Sequence, residues 1–220
     1  MSQRNIIRIC AVVLALSGLT ILFSTIYPIL SYEWEASQKY PVLISPLVDT
    51  DTGSFKFSDK DYTKANNWFE NTKESDFETQ EKRYFTLSIP KLKIDSATVT
   101  VGGEDLSDSL IQFPGTALPG KIGNSVIFGH SILPQYFDPN NYLAIFSTLP
   151  TLVKGDEVFA NMDGATYKYI VREMFEVKPS DIQILEQSTS SSYITLVTCT
   201  PPGHPLKPKR LIVRAELVAS

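Results

Sequence analysis

Cysteine and histidine are scarce in this 220-residue sequence, with two of each. Two cysteines cannot build a multi-disulfide scaffold, and two histidines exclude a His-rich metal cluster. A dominant charge is also missing: 20 basic residues face 24 acidic ones, for a formal net charge of -4. That balance argues against a protein that coats nucleic acid, so no nucleic-acid partner is expected. There is no internal repeat and no low-complexity tract. The Walker loop, the dinucleotide glycine fingerprint, the G-x-S-x-G elbow of serine hydrolases and the papain-type cysteine signature are all absent. What is present is 43% apolar and 20% charged, the composition of a chain that buries a core.

The apolar residues are unevenly spread. Arg4 and Arg8 precede a run from Ile9 to Leu30 that holds no charged residue, and Glu33 and Glu35 follow it. At ~1.5 Å per residue in a helix, that run reaches ~33 Å, enough to cross a bilayer core. A cleaved signal peptide is the alternative, but its apolar region is normally ~7–15 residues and ends in small residues. Here the run ends in Tyr27-Pro28-Ile29-Leu30, so an uncleaved signal anchor is expected over residues 1–30. Arginines before the span and carboxylates after it predict a cytoplasmic N-terminus and an extracellular C-terminus. Cys10 then lies in the membrane, which leaves Cys199 as the one thiol outside, with no partner in its own chain.

Residues 31–80 hold 10 acidic and 5 basic residues, while residues 81–220 hold 14 and 13. This shift predicts an acidic stem over 31–80 and a folded domain over 81–220. A helix from Ser58 is expected in the stem, with Tyr62, Ala65 and Phe69 at helical spacing. From Tyr84 onward the pattern is mostly β. Phe85, Leu87 and Ile89 alternate, and Ile94 to Val101 is a second β-rich run. Asp105 to Leu110 reads as a short helix, Ser125 to Phe128 as a strand, and Tyr142 to Leu149 as a helical turn. Glu157 to Asn161 and Thr166 to Val177 form a predicted hairpin across Asp163-Gly164. Tyr193 to Thr198 is a strand that delivers Cys199. Arg210 to Leu217 is the last strand, with Leu211, Val213, Ala215 and Leu217 on one face. About eight short strands with turn signals between them indicate an all-β barrel or sandwich.

Cys199 is followed by a loop bearing Lys207, Lys209 and Arg210. A thiol near positive charge gains thiolate. Acyl transfer by cysteine also needs a proton donor for the leaving amine, usually an imidazole. The spacing leaves both His130 and His204 open for that role. Arg210 would matter if its guanidinium turned toward the thiol, where it stabilises a developing oxyanion.

Thr195-Leu196-Val197-Thr198-Cys199 resembles the TLxTC signature of sortases, membrane-anchored cysteine transpeptidases of the bacterial envelope. Arg210, opening Arg210-Leu211-Ile212-Val213, falls where the family's arginine falls. Phe113 to Gly120 and Gly123 to His130 resemble the segment carrying the family's histidine. The resemblance covers roughly residues 84–217, and its pattern is nearest to small single-domain housekeeping or class D-like members. It implies an eight-stranded sortase-type β-barrel with short helices, after an N-terminal transmembrane helix. It also implies Cys199 as nucleophile, His130 and not His204 as acid and then base, Arg210 at the substrate carbonyl, and Thr198 lining the site. The expected substrate is a protein bearing an LPxTG-like sorting signal. The expected acceptor is an amine on a cell-wall precursor or a pilin. No cofactor is required by the resemblance. Some members use calcium to order a loop, and Asp181 and Glu186, with Glu104, Asp105 or Asp108, offer ligands for it. His130 is followed by Ser131, where many members carry a basic or amide residue. A non-catalytic anchored barrel that binds envelope peptides is the competing reading. An L,D-transpeptidase is disfavoured, because its Ser-His-Gly-Cys run is absent.

Overall fold

The computed structural model describes residues 3–40, 61–68 and 83–218. Two compact units are present, Met1–Lys39 and Tyr40–Ser220. The first is one helix, α1, Gln3–Lys39, of 37 residues. At ~1.5 Å per residue it extends ~55 Å. Its most apolar stretch has a mean hydropathy of 2.5, so by length and composition the helix suffices to cross a membrane. Its hydroxyls do not disturb that character. Ser17 donates to the Leu14 carbonyl at 2.9 Å and Thr20 to the Leu16 carbonyl at 2.8 Å, so neither needs water as a partner.

The second unit is built on eight strands: β1 Arg83–Ile89, β2 Ile94–Val101, β3 Leu110–Gln112, β4 Gly123–Phe128, β5 Glu157–Met162, β6 Ala165–Val177, β7 Ser192–Thr200 and β8 Lys209–Leu217. They close into a barrel in the order β1-β2-β3-β4-β7-β8-β6-β5. Closure leaves no free sheet edge. The alternation predicted for β1 holds, with Phe85, Leu87 and Ile89 buried. The predicted hairpin joins β5 to β6 across Asp163 and Gly164, at φ of 53° and 79°. Both central residues have positive φ, the condition for a tight turn that matches strand twist.

Two pairs are parallel, β2 with β3 and β4 with β7. Both need crossover connections, and the second decides where the site lies. On β8, Leu211, Val213 and Ala215 are buried on one face as predicted. At the start of the strand the opposite face is not solvated either, because Arg210 and Ile212 are also fully buried. An outer apolar layer covers it, drawn from residues 61–68 and from the β6–β7 connection, and includes Ala65, Trp68 and Ile184.

Two local expectations are corrected. Residues 105–110 are turns leading into β3, not a helix. The Asp105 carboxylate accepts from the Ser107 amide at 2.8 Å and its hydroxyl at 2.6 Å, a turn that competes with helical bonding. Residues 61–68 hold a turn and the short 3-10 helix Ala65–Asn67 in place of the expected α-helix. Asp61 makes the same kind of turn with Thr63. Ser58 and Phe69 lie outside the described residues. The helical turn expected over Tyr142 to Leu149 is present, as successive turns over 142–148 that run into the 3-10 helix Leu149–Thr151. β3 was missed because three residues carry too little periodicity to register.

Candidate active site

The parallel register of β4 on β7 places Phe128 beside Val197. The next residues of each strand, Gly129-His130 and Thr198-Cys199, therefore emerge side by side. Three hydrogen bonds fix that arrangement. The Gly129 amide donates to the Val197 carbonyl at 3.1 Å. The Thr198 hydroxyl donates to the Gly129 carbonyl at 2.8 Å, and the Ser131 hydroxyl to the Cys199 carbonyl at 2.7 Å. His130 is thus held on both sides by residues that flank the thiol. Thr198 is fully buried, and its hydroxyl acts by tying β4 to β7. Gly129 has to be glycine: a Cβ there would lie 2.4 Å from the Phe146 ring and 2.6 Å from Leu110.

On the other side of β7, the antiparallel pairing puts Arg210 directly opposite Cys199. Arg210 is fully buried. Its guanidinium donates to the Trp68 carbonyl from Nε at 3.2 Å and from Nη2 at 3.0 Å. Nη1 donates to the carbonyls of Lys207 at 2.9 Å and Lys209 at 3.1 Å. The rings of Trp68 and Tyr62 lie 5.5 and 5.6 Å from the guanidinium carbon. Among the described residues, no carboxylate forms an ion pair with it. Carbonyl dipoles and ring faces therefore offset the cost of burying this cation. Such a cation is ready for an anion that forms only during reaction.

Burial pushes the Cys199 thiol up, against the opposing pull of Arg210 and Lys207. Burial pushes His130 down to about 4, and the Lys207 charge acts in the same direction, while Asp105 and Asp61 oppose it. Thiol and imidazole are therefore both neutral at pH 7 in this state. The His130 Nε2 is buried with no hydrogen-bond partner. An orphaned buried nitrogen costs about 1–3 kcal/mol, a cost expected where the group must exchange protons. The other histidine, His204, lies in the β7–β8 connection, where its Nδ1 accepts from the Leu206 amide at 3.1 Å.

Residues 61–68 cover this constellation. Trp68 is fully buried, stacks on Phe128 at 5.3 Å and tilts over His130 at 5.7 Å. Its carbonyl occupies the two donors of Arg210 described above. Tyr62 sits under the Lys207 ammonium, with Nζ 4.7 Å from the ring centroid. Two bonds hold the cover down: the Ala65 amide donates to the Glu104 carbonyl, and the Leu106 amide donates to the Thr63 carbonyl. Sequence reasoning missed Trp68, since nothing around it marks a residue of the site. The aromatic pair Trp68-Phe69 in an acidic segment was the only signal.

The carboxylates expected to hold calcium do not gather. Glu104 pairs with Lys64 at 3.7 Å, and Asp181 accepts from the Lys178 amide at 3.0 Å. Among the described residues, no three His, Cys, Asp or Glu side chains form a group that could hold a metal ion.

Residues 87–218 match the Sortase domain family. Sortase A of Streptococcus agalactiae is 34% identical over 132 residues, which are 60% of this chain and 51% of that protein. Sortase A of Staphylococcus aureus is 30% identical over 125 residues, 50% of this chain and 59% of that one. The match thus spans little more than half the length of these two relatives. Among solved structures, a Clostridium perfringens Sortase D5 transpeptidase superposes with a TM-score of 0.54 at 25% identity, covering 68% of this chain and 91% of its own.

Two outcomes test the site geometry. Trp68→Ala should speed alkylation of Cys199 by a small thiol reagent by about tenfold; an unchanged rate would show that the cover does not shield the thiol. The second concerns acid. His130 stays neutral in the fold down to about pH 4, whereas the ordinary imidazole protonates below 6.5. The unfolded chain therefore binds more protons between these values, and stability falls as pH drops through them. The loss should reach on the order of 3 kcal/mol. Denaturant melts at pH 7 and pH 4 should show it, and His130→Gln should remove most of the difference.

Proposed function

The chain belongs to the sortase family, and from that premise we propose that it is a cysteine transpeptidase acting on a sorting signal. One observation carries the reading. Among the described residues, a buried thiol lies opposite a buried guanidinium that has no carboxylate partner, and the strand end beside it carries an imidazole whose Nε2 is unbonded. A core arginine kept for stability alone would be expected to pair with a carboxylate.

In the proposed reaction the Trp68 carbonyl leaves the guanidinium, and the carbonyl of the scissile peptide takes its place. The Cys199 sulfur, as thiolate, attacks the carbonyl carbon. Its proton resides on His130, so the thiol–imidazole pair becomes an ion pair. The negative charge that develops on oxygen faces Arg210, which stabilises it where water is excluded. The C–N bond breaks as His130 gives its proton to the leaving amine, and a thioester remains on Cys199. An incoming amine then attacks the thioester. His130 takes its proton, a new amide C–N bond forms, and the C–S bond breaks. The substrate we propose is a protein carrying an LPxTG-like motif, and the acceptor is an amine on a cell-wall precursor or a pilin subunit. Val126, Val197 and Ile212 are fully buried in the cluster that holds Cys199, and once residues 61–68 move aside they would offer the Leu-Pro part of such a motif an apolar surface.

We place the barrel outside the cell, held by α1, with the N-terminus in the cytoplasm. Arg4 and Arg8 before the apolar run support that orientation. Protease added to intact cells should degrade residues 83–218 and spare an epitope at the N-terminus; the reverse pattern would overturn the topology.

Cys199→Ala should abolish cleavage of a sorting peptide and the acyl adduct seen by mass spectrometry. Arg210→Lys should lower kcat/KM by about 100-fold, since an ammonium cannot span the carbonyls that the guanidinium fork reaches. Replacing His130 should cost far more than replacing His204. Activity retained in the Cys199 variant would sink the proposal.

A further inference from the structure

The connection between β6 and β7, residues 178–191, packs against the cluster that holds Cys199. It contains the 3-10 helix Ile182–Leu185. Ile184 is buried in the same cluster as Cys199, Val197 and Trp68, and Leu185 packs against that cluster. A connection of this length needs something to hold it. The carboxylates that might have gathered around a cation are dispersed, as described above.

Two side-chain amides hold it. The Gln187 Oε1 accepts from the Ala117 amide at 3.1 Å and the Asn124 amide at 3.0 Å. Its Nε2 donates to the Asn124 carbonyl at 3.2 Å and the Leu185 carbonyl at 2.9 Å. Asn124, which is buried, donates from Nδ2 to the Ile184 carbonyl at 2.9 Å and accepts at Oδ1 from the Thr195 hydroxyl at 2.6 Å. The carbonyls of Ile184 and Leu185, the two residues that meet the cluster holding Cys199, are thus both tied to this amide pair. Gly123 makes room for it. Its φ is 131°, and a Cβ there would lie 2.6 Å from the Ala117 Cβ and 2.9 Å from the Gln187 Oε1. Every donor and acceptor position of the Gln187 amide that is accounted for bonds to main chain. That is the pattern of a group fixing backbone position.

We propose that Gln187 is a positioning residue for substrate binding: with Asn124 it latches the β6–β7 connection onto β4, so that Ile184 and Leu185 wall the groove before a peptide arrives. The inference rests on the reading that this groove takes the acyl part of the sorting signal. The latch is remote from the chemistry. Thr195, which it touches, is four residues before Cys199 on β7, or ~13 Å along the strand. Losing the latch therefore loosens the wall and leaves the thiol, imidazole and guanidinium on their strand ends.

The test compares wild type with Gln187→Ala and Gln187→Glu in peptide-cleavage kinetics and in hydrogen exchange. Gln187→Ala removes all four bonds. Gln187→Glu keeps an acceptor for the Ala117 and Asn124 amides and loses both Nε2 donations. The expected result is a graded rise in KM, about tenfold for Ala and less for Glu, with kcat within twofold of wild type. Exchange should accelerate about tenfold over residues 178–191 and at the Asn124 amide, which loses its bond to Gln187, and stay unchanged in the rest of β4 and in β7 and β8. Calcium and a chelator should leave wild-type KM unaltered. Unchanged KM together with unchanged exchange in Gln187→Ala would overturn the proposal. So would a loss confined to kcat, a loss of protection throughout the barrel in both variants, or a calcium-dependent fall in wild-type KM. If wild type cleaves no sorting peptide, the functional reading fails, and the exchange measurement alone still decides whether Gln187 holds the wall.

Discussion

The burial of Arg210 with no carboxylate partner among the described residues is the constraint on which the rest of the site depends. A guanidinium cannot shed its charge, so it must be compensated where it lies. Here the compensation comes from the carbonyls of Trp68, Lys207 and Lys209 and from two ring faces. Each of those partners fixes something else. The Lys207 and Lys209 carbonyls tie the end of the β7–β8 connection to the guanidinium. The Trp68 carbonyl brings residues 61–68 over the cluster that holds Cys199. A carboxylate at this position would have neutralised the cation permanently, and the cation could then do little for an oxyanion. Weak, replaceable partners keep it available.

The same logic governs the neutral thiol and imidazole. In the covered state both are desolvated, and desolvation disfavours the charged form of each. Arg210 and Lys207 favour thiolate, yet Lys207 also disfavours the imidazolium. The ion pair is thus a minority state in the covered arrangement. The barrel contributes rigidity at this point. Residues on three adjacent strands, β4, β7 and β8, meet at their ends, and hydrogen bonds between the flanking residues leave little play.

Much of the barrel was legible because its strands are short, alternating and separated by turn residues. β1, β2, the β5–β6 hairpin, β7 and β8 follow directly from period-two patterns and from Asp163-Gly164. The reading failed where local hydrogen bonding outweighed periodicity. Asp61 and Asp105 each bend the chain into a turn through their own carboxylates, so two expected helices are turns. Arg210 was legible as the start of a strand with a buried inward face. That its own face was buried too was not, because the cover comes from residues 142 positions away in sequence. Gln187 and Trp68 carried no pattern at all, since each acts through contacts to remote main chain or remote rings.

The sequence by itself determined that one thiol lies in the folded domain, that an apolar run long enough to span a bilayer precedes it, and that the domain is built from alternating strands. These are properties of composition and of local periodicity, which need no partner to be read. Only the tertiary structure decided which cation faces the thiol, what compensates that cation, and what covers the pair. Those depend on register: a parallel β4–β7 pair sets Gly129-His130 beside Thr198-Cys199, and an antiparallel β7–β8 pair sets Cys199 against Arg210. Register is a relation between distant segments. It is fixed by the closure of the barrel as a whole and not by any one strand.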